Sequence, residues 1–140
     1  MQILSVIVVG YQLIDVVRPE KDDVIAYSFR TVTFKKIGAT DADYYDLLDI
    51  IPKKGDGSDW GTTFGTEFLG GQLMVRTISP DGKFGDLISY NSLFNQGWVK
   101  NGSTPIVRNE VPLAPGTALY VQYSKAADCR LSFPKPISEK

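Results

Sequence analysis

Gln72-Leu73-Met74-Val75-Arg76-Thr77-Ile78 runs through Ser79-Pro80-Asp81-Gly82-Lys83 into Gly85-Asp86-Leu87-Ile88-Ser89-Tyr90. The first and last pieces have strand character. The middle is a turn: proline presets φ and glycine accepts a positive φ. Residues 72–90 therefore predict an antiparallel hairpin, and its pattern recurs on both sides. Downstream, Gly97-Trp98-Val99-Lys100 is a short strand before an Asn101-Gly102 turn. Pro112-Leu113-Ala114-Pro115-Gly116 turns the chain again, and Ala118 to Tyr123 alternates, with Leu119, Val121 and Tyr123 on one face and Tyr120 on the other. Upstream, Ile25, Tyr27 and Phe29 share a face of a strand that runs toward Phe34. Ile3 to Val9 is β-branched and reads as a buried strand. Gly10 marks a bulge or bend before Tyr11, Leu13, Ile14 and Val16-Val17.

Two stretches break the pattern. Gly38 to Pro52 is the one helical candidate, with Thr40 or Asp41 as cap and Tyr44, Tyr45, Leu47, Leu48 and Ile51 at apolar spacing. Lys53 to Gly71 is rich in Gly, Asp, Ser and Thr and predicts a long irregular loop. Eight or so strands with turns about every ten residues predict an all-β fold: an antiparallel β-sandwich, jelly-roll-like or barrel-like, with one short helix around 41–51. Residues 1–133 read as a single β domain and 134–140 as a polar C-terminal tail.

The 140 residues suit one domain, and 43% are hydrophobic, as in a globular protein. Fifteen basic against 16 acidic residues leave a net charge of −1, which gives no overall pull toward nucleic acid or anionic lipid. Lys35-Lys36 and Lys53-Lys54 are too short to make a basic patch. Histidine is absent, which removes the commonest general base and the commonest zinc ligand. Cys129 stands alone, in an alternating stretch with Leu131 and Phe133, and predicts a buried strand cysteine. No apolar run reaches membrane-span length. The start has neither the basic region nor the cleavage site of a signal peptide.

Several marks occur together: Val8-Val9-Gly10-Tyr11, Phe34, Asp49-Ile50 with Pro52, the Asp81-Gly82 turn, Gly97-Trp98, and Leu113-Ala114-Pro115-Gly116-Thr117-Ala118-Leu119-Tyr120-Val121. Their order resembles small all-β domains of uncharacterised bacterial surface or secreted proteins. The resemblance implies an exported or particle-surface setting and no catalytic residues. Those proteins carry a leader before the Val-Gly-Tyr segment, whereas this chain begins at Met1.

Candidate sites are few. Asp56, Ser58 and Glu67, with Gly61, follow the spacing of an EF-hand calcium loop, but Trp60 occupies a ligand position and helices are missing on either side. A calcium ion is thus weighed for the 56–67 loop, and otherwise no cofactor is expected. Trp60, and Trp98 beside Asn95 and Gln96, suit sugar binding if exposed, because a flat ring stacks on a pyranose while amides orient its hydroxyls. Tyr90 and Tyr120 would join them. Asp41/Asp43 and Asp46/Asp49 are paired carboxylates, read as a solvated helix face. The sequence has no phosphate-binding glycine loop, nucleophile elbow or cysteine-pair metal motif.

The expectation is a non-catalytic structural module that self-assembles in a surface layer, filament or virion. Its partners would be copies of itself or other structural proteins. Ile3, Val6 and Val8 of the first strand and Phe64 and Phe68 of the long loop are the assembly candidates. The alternative is a carbohydrate-binding module that uses its Trp and Tyr residues on glycans. Nucleic-acid binding and membrane insertion are not expected.

Overall fold

The computed structural model describes residues 11–31, 45–65 and 67–134. Their strands form two antiparallel sheets. In the smaller, β9 (Cys129–Pro134) lies between β1 (Tyr11–Asp15) and β3 (Ile51–Lys54). In the larger, the order is β2 (Ala26–Thr31), β8 (Ala118–Tyr123), β4 (Gly70–Ile78), β5 (Ile88–Asn91), β6 (Gly97–Lys100) and β7 (Thr104–Pro105). The sheets pack face to face as an all-β sandwich, the fold class that the sequence predicts.

The core follows from period-two alternation. Leu119, Val121 and Tyr123 of β8 point inward with Leu73 and Val75 of β4, and meet Cys129, Leu131 and Phe133 of β9 across the sandwich. Burying each such aliphatic or aromatic side chain stabilises the fold by about 1.5–3 kcal/mol. Cys129 thus sits in the core beside Leu131 and Phe133, as its alternating sequence predicts.

The 72–90 hairpin forms, with Leu73 opposite Tyr90 and Val75 opposite Ile88. Its turn closes through Gly82 N–H to the Ser79 carbonyl at 2.8 Å, with Gly82 at φ +88°. Next to the turn the two arms are joined by an Ile78–Phe84 bridge and by Gly85 N–H to the Thr77 carbonyl at 2.7 Å, and the regular second strand starts at Ile88, later than the sequence suggests.

One expectation needs correction. Among the described residues of the helical candidate, only Leu47–Asp49 is helical, as one 3-10 turn. Ile51 and Pro52, expected at its end, belong to β3, where Pro52 pairs with Leu131. Proline is tolerated there because β3 is an edge strand with one neighbour. In β2, Tyr27 and Phe29 share a face as expected; that face is the outer one, and Ser28 between them is buried. Tyr27 stacks on Tyr120 with centroids 5.6 Å apart, and Phe29 packs on the same ring at 5.0 Å.

Ile3, Val6 and Val8, the caps Thr40 and Asp41, and residues 135–140 of the expected tail lie outside the described residues. No helix among the described residues is long and apolar enough to cross a membrane.

Candidate functional site

Two chain segments meet at one end of the sandwich: the loop between β3 and β4, and the connection from β5 to β6. They are joined through Ser92, whose buried hydroxyl donates to the Gly61 carbonyl at 2.6 Å and accepts from Leu69 N–H at 2.9 Å. Phe94 N–H donates to the Thr62 carbonyl at 2.7 Å. A parallel bridge between Gly61 and Phe68 closes the long loop on itself. This expected irregular loop is therefore braced at several points.

The β5–β6 connection is strained. Phe94 and Asn95 are consecutive non-glycine residues in the left-handed region, at φ +57° and +58°. Each such residue costs about 1–2 kcal/mol. The conformation is held by Asn91, whose side chain accepts from Leu93 N–H and donates to Gln96 Oε1, both at 3.0 Å. Asn95 N–H reaches the Ser92 carbonyl at 3.0 Å.

This backbone holds Phe94 outward, 67% exposed. Its ring lies 6.3 Å from that of Phe64, also 67% exposed, in an edge-to-face arrangement. Phe64 contacts Phe68 in the same way at 5.6 Å. The exposed rings of Phe64 and Phe94 and the half-buried ring of Phe68 thus form one cluster. Phe64 and Phe68 are the described members of the expected assembly set. Phe94 was not foreseen, because Leu93-Phe94-Asn95 reads as an ordinary turn and nothing local signals the contact with Thr62.

Beside the cluster is a cleft of about 260 Å³, lined in part by Pro52, Asp59, Trp60, Thr62, Tyr90 and Asn95. Of the expected ligand-binding residues, the fold brings Trp60, Tyr90 and Asn95 together there, with Trp98 behind Tyr90 in an edge-to-face contact at 4.9 Å. Gln96 is adjacent but engaged with Asn91. Tyr120 is elsewhere, on the outer face of β8.

Neither tryptophan is an exposed platform, which corrects the expectation of open stacking surfaces. Trp60 is 4% exposed: Lys125 Nζ lies 5.9 Å from its ring, and its indole N–H has only the Cys129 sulfur for company, a weak acceptor. Trp98 is 2% exposed and donates to the Ile50 carbonyl at 2.9 Å. Burial, reinforced by the negative charge of Asp59, raises the pKa of the Tyr90 hydroxyl, so it stays protonated well beyond neutral pH. Asp59 pairs with Lys53 at 2.5 Å.

The calcium-loop residues do not gather around a common point. Asp56 accepts from the backbone and hydroxyl of Ser58 at 2.9 and 2.6 Å, a local Asx turn. Glu67 pairs with Lys54 at 2.9 Å. Lys54 stands beside both Asp56 and Glu67, placing an ammonium where a cation would need to be. Among the described residues, no three metal-ligating side chains converge.

Asp46 and Asp49 were expected on a solvated helix face. Asp46 is instead 1% exposed and caps the 3-10 turn. It accepts from Leu48 N–H at 3.0 Å, from Arg108 at 2.6 Å and from Asn109 N–H at 2.6 Å. Asp49 accepts from Asp46 N–H and also pairs with Arg108, both at 2.9 Å. These carboxylates lock the 45–50 segment to the 107–113 loop. Asp41 and Asp43 lie outside the described residues.

Comparison with known proteins finds no protein-family model, no curated protein and no solved structure that matches the chain.

Proposed function

We propose that the chain is a non-catalytic structural module that self-assembles, with Phe64, Phe68 and Phe94 as its contact surface. The observation that carries this reading is the three-ring cluster, with Phe64 and Phe94 exposed, on a braced and strained scaffold. Covering an exposed phenylalanine contributes up to about 1.5–3 kcal/mol. Apolar rings held rigidly in water suit a contact that needs little ordering on binding. Backbone strain of this kind persists where the surrounding structure over-determines it, and it concentrates at functional sites. The absence of histidine is in keeping with contact as the role. The partners are other copies of the chain or other structural proteins, in a surface layer, filament or virion outside the cytoplasm.

The test is the mass distribution by light scattering across concentration, for the parent chain and for a Phe64→Ser/Phe94→Ser variant. Discrete oligomers or polymers that the variant dissolves into monomer, with its melting temperature kept, support the reading. A parent chain that stays monomeric at every concentration overturns it.

A further inference from the structure

We propose that the cleft between the Asp59–Thr62 stretch and β5 binds a neutral polyhydroxylated ligand the size of one sugar ring. At about 260 Å³ the cleft falls just below the range of pockets that enclose drug-sized molecules, which suits a single ring. Trp60 and Pro52 are both buried and form the apolar floor of the cleft, so a ring seated there is held mainly through its hydroxyls. Asp59, Thr62, Tyr90 and Asn95 offer hydroxyl, amide and carboxylate groups along the same lining.

Charge selects the class of ligand. Among the described residues no Lys or Arg lines the cleft, so no unpaired cation there attracts an anion. Among the same residues Asp59 is its one carboxylate and is already balanced by Lys53, so a metal cation lacks the ligand set it needs. What remains is a set of groups that exchange hydrogen bonds with hydroxyls. Asp59 only accepts, while Tyr90 and Asn95 both donate and accept.

Two of these groups are unspent. The part-buried Tyr90 hydroxyl and the exposed Asn95 side-chain amide make no hydrogen bond within the protein among the described residues, so both are open to a ligand's hydroxyls. The Asn91 and Ser92 bonds hold the backbone of this turn, Asn95 in its left-handed conformation included, so the residue stays at the lining of the cleft before any ligand arrives. The site is independent of self-assembly, because it uses none of the three phenylalanines.

The full chain is titrated with glucose, galactose, mannose and N-acetylglucosamine, following Trp fluorescence and amide NMR shifts. Asn95→Gly keeps the backbone conformation and deletes the amide; Tyr90→Phe deletes only the hydroxyl. The expected result is a saturable response to at least one sugar, weakened about tenfold or more by either variant, with unchanged melting temperatures. No saturable response to any of the four up to about 50 mM, far above the millimolar range of weak sites, overturns the proposal. So does a response that both variants leave intact.

Discussion

The Trp98 indole N–H and the Ile50 carbonyl, 48 residues apart in the chain, meet at 2.9 Å and are both buried. This one bond ties β6 of the larger sheet to the residue just before β3 of the smaller. Trp98→Phe keeps most of the ring and leaves the Ile50 carbonyl without a donor in a dry core. An orphaned buried acceptor costs about 1–3 kcal/mol. Urea denaturation should show a lower midpoint with an unchanged slope, since the surface exposed on unfolding is the same. Trp98→Ala adds a cavity and should cost about 3–5 kcal/mol.

Asp46 anchors the other cross-connection. Asp46→Ala removes the cap of the 3-10 turn and strips Asn109 N–H of its acceptor, while Arg108 keeps its pair with Asp49. A lost cap costs about 0.5–2 kcal/mol, and charged hydrogen bonds contribute about 1.5–3 kcal/mol each. With Arg108 still paired to Asp49, the cap and the one bond to Asn109 N–H set the expected loss at about 2–5 kcal/mol, with Asp46→Asn losing less because it retains one acceptor. Hydrogen exchange at Leu48 and Asn109 should rise together in Asp46→Ala. Independent changes at the two amides would show that the segments are not coupled through this carboxylate.

How much of this was legible in the sequence depends on the range of each interaction. Leu119, Val121 and Tyr123 were readable because strand alternation is local and each side chain reports its own face. The 72–90 hairpin was readable because Pro80 and Gly82 dictate the turn. Tyr27 and Phe29 show the limit: alternation groups them on one face and is silent on which face looks inward. Their partner Tyr120 lies 93 and 91 residues away, and the stack between them replaces core burial. Tyr44 to Ile51 had helical spacing, yet β3 begins at Ile51 because pairing with β9 outweighs a weak local preference. Trp60 and Asn95 were both singled out, but the cleft they share comes from loop-to-loop bonds that no sequence spacing encodes.

Alkaline pH should destabilise the fold through two groups. Burial pushes the Cys129 thiol up to about 12 from its ordinary 9.0, against a smaller downward pull from the Trp60 N–H. Burial also lifts Tyr123 above its ordinary value of 10.0, with further upward push from Cys129 and downward pull from Arg18. Its hydroxyl donates to the Ala127 carbonyl at 2.5 Å. Both are acids whose native pKa is raised, so the unfolded chain releases its protons first. Stability is then complete below pH 9 and falls as pH rises from there toward 12. Each proton contributes a slope of about 1.4 kcal/mol per pH unit. Urea midpoints measured from pH 7 to 11 check this, and Cys129→Ala should remove the part of the slope that begins near pH 9. A thiol reagent at pH 8 should label Cys129 only on unfolding.

Phe94→Gly separates contact from stability. Glycine adopts the φ of +57° found at this position without the Cβ penalty, so the substitution relieves strain in the folded chain. It gives up an edge-to-face contact with Phe64, worth about 0.5–1.5 kcal/mol when fully formed and less at a ring this exposed. It also gives the unfolded chain more freedom, at about 0.5–1 kcal/mol. These contributions nearly cancel, so the melting temperature should stay within a few degrees of the parent. Self-association through the proposed cluster should nevertheless weaken, since one of its three rings is gone. A variant that melts like the parent and assembles like it would remove Phe94 from the contact surface and leave its strained backbone to serve Asn95 alone.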